Sequence, residues 1–229
     1  MIKETDNLFF LYRRSEKKFL QDLYENGELY IRTIDEIRKS DENQERSDPH
    51  DGIKTRVYND EVEVKLCKIG SDIEKEGITL KGENCVMTLD NISRGNIYCF
   101  SGIYTKHLLD KRETIEFNTS TFGESLIVIF RPGEFIKRVK DGLKQHGFVD
   151  VQSGPVEYYP NNYTGPVNFF RKHERLSYQN EFRFVVPNQL NTTIKISIGS
   201  LSDIAVVFEK SCFLELTLTD NSKKNIKLL

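Results

Sequence analysis

Between Ser125 and Pro132 the chain reads Leu126-Ile127-Val128-Ile129-Phe130, five apolar residues with no polar interruption. A run that short, apolar on both alternating faces, belongs at the centre of a sheet. Leu8-Phe9-Phe10-Leu11-Tyr12 is a second run of the same kind and leads directly into Arg13-Arg14. Each is followed by a helical pattern. After Leu8–Tyr12, Ser15 is placed to cap a helix from Glu16 to about Glu25, with Phe19, Leu20, Leu23 and Tyr24 as its apolar stripe and Asn26-Gly27 as its stop. After Leu126–Phe130, Pro132 sits in the first turn of a helix to about Leu143, whose apolar face is Phe135, Ile136, Val139 and Leu143.

Shorter β-like segments fill the rest. Glu28–Arg32 reads as a strand, with a short helix after it through Arg38. Ile53–Tyr58 and Val62–Cys67 read as two strands joined by a hairpin turn at Tyr58-Asn59-Asp60-Glu61, and Cys85–Leu89 as another. Asn96–Ser101 is a buried strand ending before Gly102, and Tyr104–Leu109 a short helix. Gly147–Tyr159 supplies one or two strands with a turn at Ser153-Gly154-Pro155, and Val167–Lys172 a helical turn. Glu181–Val186, Thr193–Ile198, Ile204–Phe208 and Phe213–Leu218 complete the set. Residues 40–52 contain no core-forming apolar residue, which predicts a functional or mobile polar loop. The expected architecture is one α+β domain over residues 1–229, mostly antiparallel strands with a few short helices.

Composition narrows the function classes. With Lys+Arg 33 against Asp+Glu 35, the chain has no general pull toward nucleic acid or an anionic membrane. No apolar stretch approaches a membrane span, and Leu8–Leu11 is too short for a secretory core, so a cytoplasmic protein is expected. Cys67, Cys85, Cys99 and Cys212 lack metal-ligand spacing and are read as buried free thiols. No phosphate-binding glycine loop, His-Glu-x-x-His or Gly-x-Ser-x-Gly is present.

The stretch from Phe169 to Val186 carries the chemistry. It opens as a basic run, Arg171-Lys172-His173-Glu174-Arg175, and closes as a strand. In that strand Phe182, Phe184 and Val186 share an apolar face, while Gln179, Glu181 and Arg183 share the other. Combined with Tyr12-Arg13 and with Ser101, each at a strand end, this gives an arginine, a small hydroxyl and a carboxylate. Cleavage of the nicotinamide–ribose bond of NAD uses such a set: a carboxylate beside an oxocarbenium-like transition state, a cation for the phosphates and a hydroxyl that orders the site. The competing reading is an exposed Glu181–Arg183 ion pair with Arg13 on the surface and Ser101 in a turn. Two other groupings have ordinary and functional readings side by side. Asp48, His50 and Asp51 suit a metal or acid–base role, or a plain turn; no metal is assigned. The 171–175 cluster, near Tyr158, Tyr159, Tyr163, Phe169 and Phe170, suits base stacking, or a solvated charge run beside buried aromatics.

The order of these pieces resembles a widespread bacterial and phage family of uncharacterised proteins. The motifs that carry the likeness are Leu11-Tyr12-Arg13, Gly27-Glu28-Leu29-Tyr30, Ser47-Asp48-Pro49-His50-Asp51, Cys99-Phe100-Ser101, and Lys172 with Tyr178-Gln179-Asn180-Glu181-Phe182-Arg183. The same order looks like the Arg–Ser–Glu pattern of ADP-ribosyltransferases. That resemblance implies that Arg13, beside Tyr12, contacts the NAD phosphates and that Ser101 supports the nicotinamide ribose. It makes Glu181 the catalytic carboxylate and Gln179 the acceptor-selecting residue. Which of Arg13 and Arg14 faces a cleft is open, and Ser101 lacks the neighbouring Ser-Thr-Ser form, since Thr119-Ser120-Thr121 sits elsewhere. The function so implied is modification of a protein or nucleic-acid acceptor in bacterial or phage conflict. A non-catalytic binding module on the same fold is the alternative, and a metal-dependent nuclease or nucleic-acid binder a third.

Overall fold

A computed structural model of the chain describes residues 7–39, 48, 50–89, 94–105, 122–188, 190–209, 217–220 and 224–227. Both apolar runs are central strands, as expected. β1 (Leu8–Ser15) lies antiparallel against β6 (Ser125–Ile129), pairing Leu11 with Ile129 and Ser15 with Ser125. Leu11, Ile127 and Ile129 have no exposed surface. The other members of this eight-stranded sheet are β2 (Glu28–Thr33), β5 (Asn96–Tyr104), β7 (Gln152–Pro155), β11 (Glu181–Val186), β12 (Ile194–Ser197) and β13 (Ala205–Phe208). Every pairing within it is antiparallel.

β5 is the hub. One edge carries β11 along Asn96–Ser101. The other carries β2 at Asn96–Ile97 and then β1 from Ser101 onward, so the sheet splits between them. Helices α1 (Lys17–Asn26) and α4 (Pro132–Gln145) cover one face. Leu20 and Leu23 of the first, and Phe135, Val139 and Leu143 of the second, join Leu11, Phe100, Phe182, Phe184 and Val186 in the main core. Phe135 meets Phe100 and Phe184 edge to face, with centroids 5.1 and 5.9 Å apart. The opposite face of β1, β5 and β11 carries the row from Tyr12 to Arg183 and, beside it, Ile97 and Val185 packed against Ile34 of the short helix α2 (Ile34–Lys39).

Several local expectations need correction. Ser15 ends β1, and Glu16 takes the cap position of α1. Tyr58–Glu61 is not a turn: β3 (Thr55–Leu66) runs through it in the same register with β4 (Ile78–Leu89) on both sides, with only Asp60 skipped, opposite Asn84 at φ 52°, and the connection holds a one-turn helix, α3 (Ile73–Glu76). The Asn-Asp-Glu triplet signals a turn locally, but an extended solvent-facing strand satisfies it equally well. Ser153-Gly154-Pro155 is likewise strand, with Gly154 opposite Arg183. Residues 167–172 form no helix; the helical turn comes later, as a 3₁₀ segment at Glu174–Gln179, after the short strand β10 (Arg171–His173). β10 pairs in parallel with β8 (Glu157–Tyr159). The free thiol of Cys67 is exposed and not buried. Residues 106–121 and 210–216 lie outside the described residues. So do 40–47 and 49 of the polar loop, although its end at Asp48 and Asp51 is packed into the protein. Among the described residues no helix is long and apolar enough to cross a membrane.

Gly27 shows how tightly the helix ends are set. It closes α1 at φ 62°, and its N–H bonds back to Leu23. A Cβ there would lie 2.2 Å from the Gly199 carbonyl oxygen. Gly27→Ala combines a left-handed backbone with a clash against main chain, and is expected to lower stability by at least about 2 kcal/mol. A fall in the urea midpoint at unchanged m-value checks this.

Candidate functional site

Antiparallel register places directly opposed residues on the same face. Tyr12 opposes Ser101 across β1 and β5, and Ser101 opposes Glu181 across β5 and β11. Three segments far apart in sequence therefore put one row of side chains across three neighbouring strands. The row continues by alternation to Arg14, Cys99 and Arg183, of which Cys99 and Arg183 are also directly opposed. All six line one cavity of about 170 Å³, joined by Asp51, Lys172 and Gln179 from the covering segments.

The floor of the cavity is an ion network with almost no solvent exposure. Glu181 Oε2 accepts from Lys172 Nζ and from Arg183 Nη2, both at 3.1 Å. Arg183 also reaches Asp51 as a fork, with Nη1 to Oδ1 at 2.8 Å and Nη2 to Oδ2 at 2.9 Å, and donates from Nη1 to the Phe169 carbonyl at 2.7 Å. Lys172 Nζ donates to Gln179 Oε1 at 2.8 Å. An ammonium has donors only, so the amide oxygen of Gln179 must face it. Gln179 itself sits in the 3₁₀ segment, and Asn180 in the left-handed region (φ 43°) turns the chain into β11. The Glu181 N–H donates to the Tyr158 hydroxyl at 2.9 Å, which pins the start of that strand.

Charge states follow from this packing. Burial pushes the Glu181 carboxyl up, but Arg183 and then Lys172 outweigh it, and the group is held well below its usual range. Burial drives Lys172 toward neutrality, yet the carboxylates of Glu181 and Asp51 more than offset it and its pKa is raised. Cys99 is pushed up by burial and then by the Glu181 charge, so its thiol stays protonated. The cavity is thus lined by the carboxylates of Glu181 and Asp51, the Lys172 ammonium and the guanidinium groups of Arg14 and Arg183, with Arg13 at its border. None of Glu181, Lys172 and Cys99 is poised to exchange a proton near neutrality.

Of the two adjacent arginines, Arg14 shares the face of Tyr12, Ser101 and Glu181. Arg13 borders the cavity, but alternation turns it the other way. Its Nη1 donates to the Cys99 carbonyl at 2.5 Å, and its guanidinium lies 4.5 Å from the Tyr98 ring centroid. Arg14 is 8 % exposed, and its buried Nε and Nη1 have no hydrogen-bond partner among the described residues.

The remaining sequence candidates are absorbed by the fold. Asp48 accepts from the His50 N–H at 2.9 Å and the His173 N–H at 3.2 Å, tying the polar loop to β10. With Asp51 bonded to Arg183, both described carboxylates of that loop serve protein donors. In the basic cluster, Arg171 bonds Glu157, the Tyr163 hydroxyl and the Pro166 carbonyl, and His173 pairs with Asn161. Lys172, expected on a solvated run, is 2 % exposed. Its only sequence signal is its place in the family-like motif, because alternation along a three-residue strand does not say which side is covered. No family model matches the chain, and no curated protein or solved structure matches it either.

Proposed function

We propose that the protein is an NAD-consuming, ADP-ribosyltransferase-like enzyme with its reactive centre at the Tyr12–Ser101–Glu181 row. The observation that carries this reading is that the arginine, serine and glutamate strands are sheet neighbours in chain order, with their functional faces on one cavity. The site chemistry fits. When the bond from the ribose C1′ to nicotinamide breaks, its electron pair leaves on a pyridinium nitrogen and neutralises it, so the leaving group needs no acid. C1′ then bonds an oxygen or nitrogen of the acceptor, whose proton goes to solvent. The step needs a fixed anion beside the developing cation, and Glu181 is one. Lys172 and Arg183 are positioning residues that hold it, and Ser101 stands beside it for a ribose hydroxyl. A cavity of about 170 Å³ takes one aromatic ring, as a cavity of ~150 Å³ takes benzene. The nicotinamide end enters, and the rest of the dinucleotide lies across the mouth. Arg14, and not Arg13, supplies the cation for the phosphates.

Arg14→Met tests this directly. A buried guanidinium whose Nε and Nη1 have no partner among the described residues is a cost in the ligand-free protein. Its removal is therefore expected to leave the melting temperature unchanged or higher, while weakening NAD binding at least about tenfold. Calorimetric titration with NAD checks this, and an unchanged affinity contradicts the assignment. One observation favours a second reading, a non-catalytic binding module: Glu181 is already doubly salt-bridged without ligand. That reading predicts NAD binding with no release of nicotinamide.

A further inference from the structure

Beyond Tyr58, the hairpin of β3 and β4 has no further strand beside it among the described residues; β9 (Gly165–Pro166) pairs only with Thr55 and Arg56. Its two faces differ sharply. Val64 opposes Leu80 and Leu66 opposes Ile78, so these four share one face, with Val62 next in line. The other face carries the pairs Glu61–Glu83, Glu63–Lys81 and Lys65–Thr79. The apolar side is uncovered: Val64 is 46 % exposed, Leu66 53 %, Ile78 66 % and Leu80 50 %. Ile69 in the connection is fully exposed and Ile73 is 43 % exposed. A lone two-stranded hairpin is marginal in water unless its apolar face is packed against something.

We infer that this face is a homodimer interface, the hairpins of two copies stacking apolar side to apolar side about a two-fold axis. This inference is independent of the NAD reading. Three observations select a second copy. The stripe is self-complementary, as an isologous contact requires, and two hairpins so stacked form a small four-stranded sandwich with sheets ~10 Å apart. The four stripe side chains, together with Ile69 and Ile73 of the connection that closes the hairpin, expose roughly 600 Å² per copy, or about 1,200 Å² across a pair, which reaches the lower end of a specific interface. Finally, residues 61–83 hold six acidic and four basic side chains. That balance disfavours an anionic membrane or nucleic acid, while the mixed Glu/Lys face suits the solvent side of a sandwich.

The full chain is expected to show twice its 26.7 kDa mass by light scattering at about 100 µM and to dissociate on dilution. L66E/L80E is expected to be monomeric at that concentration, and Thr79→Lys on the opposite face to stay dimeric. Independently of any variant, hydrogen exchange of the 61–83 amides is expected to slow as wild-type concentration rises. A monomeric wild type overturns the inference. So does a dimer that survives L66E/L80E or is lost in Thr79→Lys, or exchange that ignores concentration.

Discussion

Arg183→Met is expected to destabilise the protein by about 3–5 kcal/mol, the range for breaking a buried ion pair from one side. Arg183 has no exposed surface and is bonded to Asp51, Glu181 and the Phe169 carbonyl. Its loss leaves the Asp51 carboxylate and one main-chain oxygen without this donor, and leaves Glu181 dependent on Lys172. In a chain of this size the melting temperature should fall by roughly 10 °C or more. The deficit has a pH signature. Arg183 is the main influence holding the Glu181 carboxyl low, so in its absence Glu181, paired with Lys172 alone, takes up a proton at higher pH. The gap between variant and wild type should narrow on acidification. Calorimetric melting at neutral and acidic pH measures it; equal melting temperatures at pH 7 contradict the network.

Glu181→Gln is expected to separate chemistry from folding. Removing an electrostatic stabiliser of a transition state costs about 10²–10³ in rate, and nicotinamide release should fall by that much. The stability change should be smaller than for Arg183→Met, because Arg183 keeps Asp51 and Lys172 keeps Gln179. The acid limb should also flatten. Glu181 has a folded-state pKa below its ordinary value of 4.5. The unfolded chain therefore takes up the proton first as pH falls. The stability this group contributes is complete above that value and is lost as pH drops toward the folded-state pKa. Glu181→Gln lacks that contribution, so its stability should vary less between about pH 5 and pH 3. Denaturant titrations across that range give the comparison.

The sheet was legible because its signals are local. Uninterrupted apolar runs at Leu8–Leu11 and Leu126–Phe130 declare central strands, and the Phe182–Phe184–Val186 alternation declares a face. Which face of β1 is shared with Glu181 on β11 depends on the register of both strands with the intervening β5, a long-range property, and so Arg13 and Arg14 could not be told apart by sequence. The same limit hid Lys172 and Asp51, which look like solvated charges until Glu181 and Arg183 are brought against them. At Asn59-Asp60-Glu61 a turn-like triplet sits within a strand, and only the pairing with β4 in the same register on both sides reveals it. Glu181 and Ser101 do share the cavity, because they are directly opposed across β11 and β5, and the 3₁₀ segment before β11 brings Gln179 beside them; Ser101 lies inside β5, which continues to Tyr104, and not at its end.

The central claim is that this cavity cleaves NAD at Glu181. The most direct test is incubation of the purified full chain with NAD labelled in both its nicotinamide and adenylate halves, wild type beside Glu181→Gln. The expected result is release of nicotinamide by the wild type, with the adenylate label in free ADP-ribose or on an acceptor, and loss of that release in Glu181→Gln despite an intact fold. Intact NAD after prolonged incubation with the wild type, or equal release by both proteins, would contradict it.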